Sequence, residues 1–222
     1  MTGFSEYDLQ EMVVRLAHQI RNPLATIKSG IQLVQHLLQP SGEMEEYLEA
    51  ALVEVERINR IVSDMQRMIR LDSATAQAVS VAEIVDEAVS RCAAAAAARD
   101  VTVIRPGGPA ARVLADPSQM VEAMSELLGN AIEFSKAGST VRIGWASEEN
   151  RLLRVEVSDG CGGIPATEES RIFRPFYSTS TRGTGLGLNI VKRICELGGG
   201  RMEWANLADG SGCRFSIVMP EA

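Results

Sequence analysis

An apolar repeat at helical spacing across the first seventy residues most narrows the folds open to this chain. Leu9, Val13, Leu16, Ile20, Leu24, Ile27, Ile31, Val34 and Leu38 follow one another in steps of three or four. That spacing gathers them onto one side of an α-helix. After "QPSG" at 39–42 the pattern resumes with Met44, Leu48, Leu52, Val55, Ile58, Val62, Met65 and Ile69. Two long helices joined by a Pro/Ser/Gly turn predict an antiparallel hairpin. Two helices alone cannot cover both broad stripes. Pairing two hairpins into a four-helix bundle would, which predicts a homodimer; the alternative is that the stripe packs on the rest of the same chain.

The texture then changes. "DSATAQAVS" is small, polar and aperiodic and reads as a linker. It divides the chain into a hairpin over 1–72, a linker over 73–80 and a second domain over 81–222. That domain opens with a helix over 81–98 containing the run "AAAAAA", a strong helix former expected to pack on a sheet with little side-chain bulk. Strands are expected at "VTVI", "RVLA", "VRIGW", "RLLRVEVS", "RMEWAN" and "CRFSIVM", with a helix starting after Asp116-Pro117 and another over about 185–197. The fold class is therefore α+β: a helical hairpin followed by an α/β sandwich with helices on one face of a mixed sheet.

Composition excludes several functions. Twenty-nine acidic residues against 22 basic ones give a net charge of −7. No Lys/Arg-rich run occurs, so no nucleic-acid partner is expected. The start, "MTGFSEYDLQ", lacks signal-peptide character, and no apolar run of about 18 residues offers a membrane span. Cys92, Cys161, Cys195 and Cys213 are scattered with no CxxC pair. That spacing points to reduced thiols in a cytoplasmic setting and away from a cysteine zinc site.

One of only two histidines lies in "RLAHQIRNPLATI". The stripe uses positions 16 and 20, so His18 is expected to face solvent. Asn22 follows one turn on along the same face. Pro23 lacks an N–H and its ring meets the carbonyl of Gln19, which weakens the turn that carries His18. His36 shares that face five turns on, but the helix dipole near a C-terminus accounts for it, and it receives no role.

The second half carries four signals in order. In "ELLGNAIEFS", Glu126 and Asn130 stand at i, i+4, and their oxygens suit Mg²⁺ and its waters. In "VSDGCGGIP", a strand delivers Asp159 into a glycine-rich bend, where a carboxylate can accept from an exocyclic amino group. "IFRPFYSTSTR" joins an aromatic-proline anchor to a polar segment. "GTGLGLNIVKRICEL" opens a helix with glycines, and helix N-terminal amides suit phosphate. "GTGLGL" matches neither a Walker P-loop nor the dinucleotide-binding fingerprint.

From about residue 5 to 219, these segments together resemble the catalytic core of a two-component sensor histidine kinase. "AHQIRNPL" is similar to the family's phosphoacceptor motif, which maps the phosphorylated histidine onto His18 and a residue tied to partner dephosphorylation onto Asn22. "NAIEFS" resembles the asparagine motif, with Asn130 as Mg²⁺ ligand, and "DGCGGIP" the adenine-binding aspartate motif at Asp159 and Gly163. "FRPF" and "GTGLGL" resemble the segments flanking the ATP lid, implying ATP contacts at Arg182, Gly183, Thr184, Gly185, Leu186, Gly187 and Leu188. The resemblance implies a Bergerat-type ATPase fold, ATP and Mg²⁺, and a response-regulator receiver domain as partner. It also implies autophosphorylation of His18 with transfer to a regulator aspartate, and regulator phosphatase activity.

Several positions depart from the family pattern. Gln19 stands where an acidic residue usually follows the phosphoacceptor, and an amide is no base at neutral pH. Glu133 replaces a common basic residue, for which Lys136 or Arg182 are substitutes. Cys161 replaces the first glycine after the aspartate, and Gly198 replaces a histidine. Glu126 matches a glutamate that activates water in related ATPases. Two alternatives follow: a nucleotide-switched dimeric scaffold without autokinase activity, and a hydrolytic ATPase of the same fold.

Overall fold

A computed structural model describes residues 6–71, 76–106, 108–180 and 183–222; Arg182, the Leu9 side chain and linker residues 72–75 lie outside the described residues. The chain divides into two compact units, Met1–Arg70 with Pro175–Leu186, and Leu71–Arg174 with Gly187–Ala222.

In the first unit, α1 (Glu6–Leu38) and α2 (Glu43–Arg70) form the expected hairpin, and α1 runs unbroken through Pro23. The turn between them uses positive φ at Gln39 (43°) and Gly42 (65°), the region in which glycine is least strained. Ala17 and Leu24 of α1, and Val55, Val62 and Gln66 of α2, are buried. Arg21 donates to Ser63 Oγ at 2.9 Å and Lys28 to Glu56 at 3.1 Å, which ties the register of the two helices. The face of α1 that meets α2 runs along 17, 21, 24, 28 and 31, to one side of the apolar stripe. Leu24 of that stripe is buried and Ile31 half-buried, while Leu16, Ile20, Ile27, Val34 and Leu38 remain exposed.

In the second unit, β1 (Gln77–Ser80) pairs antiparallel with β3 (Arg112–Ala115). It occupies the stretch expected to be linker. Its only large apolar residue, Val79, is buried and sits opposite the buried Val113, so no alternation was visible along it. Then come α3 (Val81–Ala98), β2 (Thr102–Ile104), α4 (Pro117–Phe134), β4 (Thr140–Glu148), β5 (Leu152–Ser158), α5 (Ala166–Glu169), α6 (Gly187–Leu197), β6 (Arg201–Asn206) and β7 (Cys213–Pro220). The five-stranded sheet runs β2-β4-β5-β7-β6, with β2 parallel to β4 and the other pairs antiparallel. The mixed sheet is the one expected.

Asp116 caps α4 by accepting from the Gln119 amide at 2.9 Å, and Pro117 takes a first-turn position whose N–H would be unpaired. One side of α4 buries Met120, Met124, Leu127, Leu128, Ala131 and Ile132. The sheet meets the helices with Ile143, Leu153, Val155 and Ile217, all at most 2% exposed. The alanine run departs from expectation: within 93–98 only Ala96 is buried, and α3 lies mainly along α4 rather than on the sheet. On the outer face Arg154 pairs with Glu148 and with Glu203, and Arg214 with Glu156. These partly exposed pairs add on the order of 0.2–1 kcal/mol each.

Leu128 is fully buried at the centre of α4. Leu128→Ala should lower stability by about 2–5 kcal/mol, read as a reduced urea midpoint with an unchanged slope; an unchanged midpoint would contradict this core.

Candidate active site

His18 lies on the exposed side of α1, directly after the buried Ala17. Gln19, Asn22 and Pro23 are exposed beside it. The Thr26 hydroxyl donates to the Asn22 carbonyl at 3.2 Å, a local bond that lets a Pro-containing helix bend. The imidazole is therefore open to an incoming group, and Asn22 stands one turn along with its amide in solvent.

The same unit includes the glycine segment Pro175–Leu186. Its turn closes on a bond from the Phe176 amide to the Gly185 carbonyl at 3.1 Å, with φ of 65° at Phe176 and 70° at Gly185. A Cβ on Gly185 would come within 2.5 Å of the Phe176 and Tyr177 backbone, so this position admits only glycine. Thr184 Oγ1 donates to Asp64 Oδ2 of α2 at 2.6 Å and accepts from the Leu186 amide at 3.4 Å. Leu186 is buried, at 1% exposure.

In the second unit, Glu126 and Asn130 share the half-exposed side of α4, opposite its buried side. Gly187, which opens α6, faces them: a Cβ built on it would lie 2.6 Å from Glu126 Oε2 and 3.9 Å from Asn130 Nδ2. Any side chain there would fill the space before the carboxylate and amide. Hard oxygen donors converging on an open helix N-terminus fit Mg²⁺ with phosphate. Glu133 lies in the last turn of the same helix and Lys136 just beyond its end, exposed.

Asp159 follows the last residue of β5 and is 7% exposed. The pairing of β5 with β7 sets it beside Cys213, whose carbonyl accepts from the Asp159 amide at 3.0 Å. Asp159 Oδ1 accepts from the amides of Cys161 at 3.0 Å and Cys213 at 3.2 Å. Oδ2 accepts from the Cys213 thiol at 3.2 Å. An ionised carboxylate offers about four acceptor positions, so Asp159 keeps capacity for a further donor. The next bend has φ of 88° at Gly162 and 83° at Gly163, whereas Cys161 has no positive φ. That explains why a side chain is tolerated at 161 while both following glycines are retained.

Sequence reasoning missed the supports of this bend. Asn206 accepts from the Ile164 amide at 2.7 Å and donates to its carbonyl at 2.9 Å. Gly212 packs against the Asp159 carbonyl so closely that a Cβ would overlap it. The signal for both was the "NLADGSGC" segment, a turn between two strands, but nothing local in it tells which loop it supports. All four cysteines are free thiols. Burial, then the hydrogen bond and charge of Asp159, push the Cys161 thiol up. Burial and then the Asp159 charge push Cys213 up further. Burial raises Cys195 to about 12.

Among the described residues no helix is long and apolar enough to cross a membrane. The family model for the His Kinase A (phospho-acceptor) domain matches residues 8–74, and that for the histidine kinase-, DNA gyrase B- and HSP90-like ATPase matches 115–222. The sensor histidine kinase ZraS of Klebsiella oxytoca is 29% identical over 213 residues, covering 96% of this chain and 46% of the relative. The sensor protein kinase WalK of Staphylococcus saprophyticus is 30% identical over 233 residues, covering 97% and 37%. The chain thus spans less than half the length of these curated relatives. Among solved structures, full-length ShkA in complex with AMPPNP superposes with a TM-score of 0.71 at 24% identity, over 96% of this chain and 46% of that one. The mycobacterial sensor histidine kinase MprB gives 0.57 at 27% identity, over 66% and 97%. The two matched families follow one another along the sequence, the phosphoacceptor domain before the ATPase domain, and the chain belongs to the two-component histidine kinases as a phosphoacceptor and ATPase catalytic core.

Proposed function

We propose that this chain is an ATP-dependent protein-histidine kinase that phosphorylates His18 and passes the phosphoryl group to an aspartate of a response-regulator receiver domain. The observation that carries the reading is the exposed imidazole of His18 one position past the buried seam of α1. A nucleophile must reach a phosphorus held by a separate module, and a seam-facing histidine would not. AMPPNP in the related ShkA structure supports an adenine nucleotide as the ligand.

In this reading Asp159 accepts from the adenine amino group, and Gly163 keeps the backbone open to the ring. Asn130 would hold Mg²⁺, which supplies neutralisation of phosphate charge when bound. Gly183, Thr184, Gly185, Leu186, Gly187 and Leu188 border the phosphates, together with Arg182. An unprotonated imidazole nitrogen of His18 attacks the γ-phosphorus in line. The N–P bond forms as the bond to the β–γ bridging oxygen breaks, and ADP leaves with that electron pair. Such transfer is mostly positioning and electrostatics. Gln19 cannot take the imidazole proton, so that proton passes to solvent. Asn22, one turn from His18, orients water for hydrolysis of the regulator's aspartyl phosphate. A second reading, an ATPase, is favoured by Glu126 beside Asn130 and Gly187.

The chain also works as a homodimer. Leu16, Ile20 and Ile27 are 46%, 41% and 50% exposed on one side of α1, and a second hairpin would cover them in a four-helix bundle.

Incubation with γ-labelled ATP should give acid-labile, base-stable label on the protein, abolished by His18→Ala; label surviving that substitution would sink the assignment. Steady phosphate release that Glu126→Gln stops, with no label on the unmodified protein, would favour the ATPase. Ile27→Asp should move the sedimentation profile from dimer to monomer, and an unchanged profile would place the partner surface elsewhere.

A further inference from the structure

Cys161 and Cys213 are 52 positions apart in the chain, so no local spacing links them. The β5–β7 pairing nevertheless brings their Sγ atoms to 3.8 Å, with Asp159 Oδ2 3.2 Å from Cys213 Sγ. One ligand atom from each of the three residues falls within 4.8 Å of the others. A tetrahedral ion with metal–sulfur bonds of about 2.3 Å would set its two sulfurs about 3.8 Å apart. A disulfide needs about 2.05 Å, so the resting separation matches the ion and not the bridge. The carboxylate is already oriented: Oδ1 is held by the amides of Cys161 and Cys213, which leaves Oδ2 turned to the thiols. Such outer support is what a ligating carboxylate requires. Two sulfurs with one carboxylate oxygen select a thiophilic ion over Mg²⁺. Asp159 and Cys213 are buried, while Cys161 is half-exposed and gives an approach from solvent.

We propose that Asp159, Cys161 and Cys213 form a three-ligand site for a thiophilic divalent cation of the Zn²⁺ class, and that this cation and adenine nucleotide compete for Asp159. On binding, two S–H bonds break, two metal–sulfur bonds form and two protons pass to solvent. No electrons are exchanged, and water takes the fourth position. The competition rests on the assignment of Asp159 to adenine; the metal site itself does not. Abundant ion would then hold the ATPase unit in a nucleotide-free state.

The test uses the whole chain with Co²⁺ as a spectroscopic stand-in for Zn²⁺. One equivalent per chain should give a thiolate-to-cobalt charge-transfer band and the visible bands of a tetrahedral ion, erased by one equivalent of Zn²⁺. Cys161→Ala and Cys161→Gly, confirmed folded by circular dichroism, should lose the band and weaken Zn²⁺ binding at least about tenfold. The Cys92→Ala/Cys195→Ala double variant should keep both. No band in the unmodified protein, or a band that survives at Cys161→Ala, overturns the site. A fluorescent ADP analogue then reads the competition: Zn²⁺ should raise its apparent Kd at least about tenfold in the unmodified protein and leave it unchanged in Cys161→Ala. An ion bound with unchanged nucleotide affinity overturns the competition. Failure of the analogue to bind zinc-free protein overturns the adenine assignment, while the cobalt spectrum still decides the metal site.

Discussion

The pairing of β5 with β7 is the constraint on which the nucleotide-binding half depends. Its register sets Ser158 opposite Arg214, so the chain leaves the sheet at Asp159 with Cys213 beside it. The Asp159 carboxylate then takes two backbone amides, one from its own bend and one from β7. A carboxylate that is 7% exposed is tolerable only with such partners, because burying an unpaired charge is costly. Gly212, which leaves room for the Asp159 carbonyl, and Asn206, which clamps Ile164, extend the same support. Shifting that strand by one residue would turn its side chains to the opposite face and dissolve the site.

The helical unit rests on a different balance. The first helix meets the second along a face offset from its own apolar stripe, and polar ties at Arg21–Ser63 and Lys28–Glu56 hold the register. The stripe itself stays partly in water, an arrangement a monomer rarely leaves uncovered. His18 is exposed beside this seam. The residue before it takes the buried place, and the next turn puts Asn22 on the open side. Buried and exposed positions thus stand side by side within a single turn of α1.

Most elements could be read in advance, and the exceptions have physical causes. The α4 helix was legible because Asp116 and Pro117 announce its start and its apolar positions recur at helical spacing; the i, i+4 spacing put Glu126 and Asn130 on one face of it. The β1 strand was hidden because four residues with one buried valine carry no alternation. The alanine run was misjudged because helix propensity says where a helix forms and not what it touches. Only Ala96 of that run is buried. Cysteine spacing reports only neighbours along the chain, so it could not show that Cys161 and Cys213 bring their sulfurs to 3.8 Å.

The sequence by itself determined the hairpin, the helix caps, the order of the motifs and the residue types at the site. Periodicity, capping and glycine freedom act over a few residues, so they are written locally. Tertiary structure alone decided which face of α1 meets α2, which glycine must clear the Asp159 carbonyl, and that Cys213 comes to lie beside Asp159 and Cys161. Those outcomes depend on strand register and helix packing between segments far apart in the chain, and no local spacing encodes them.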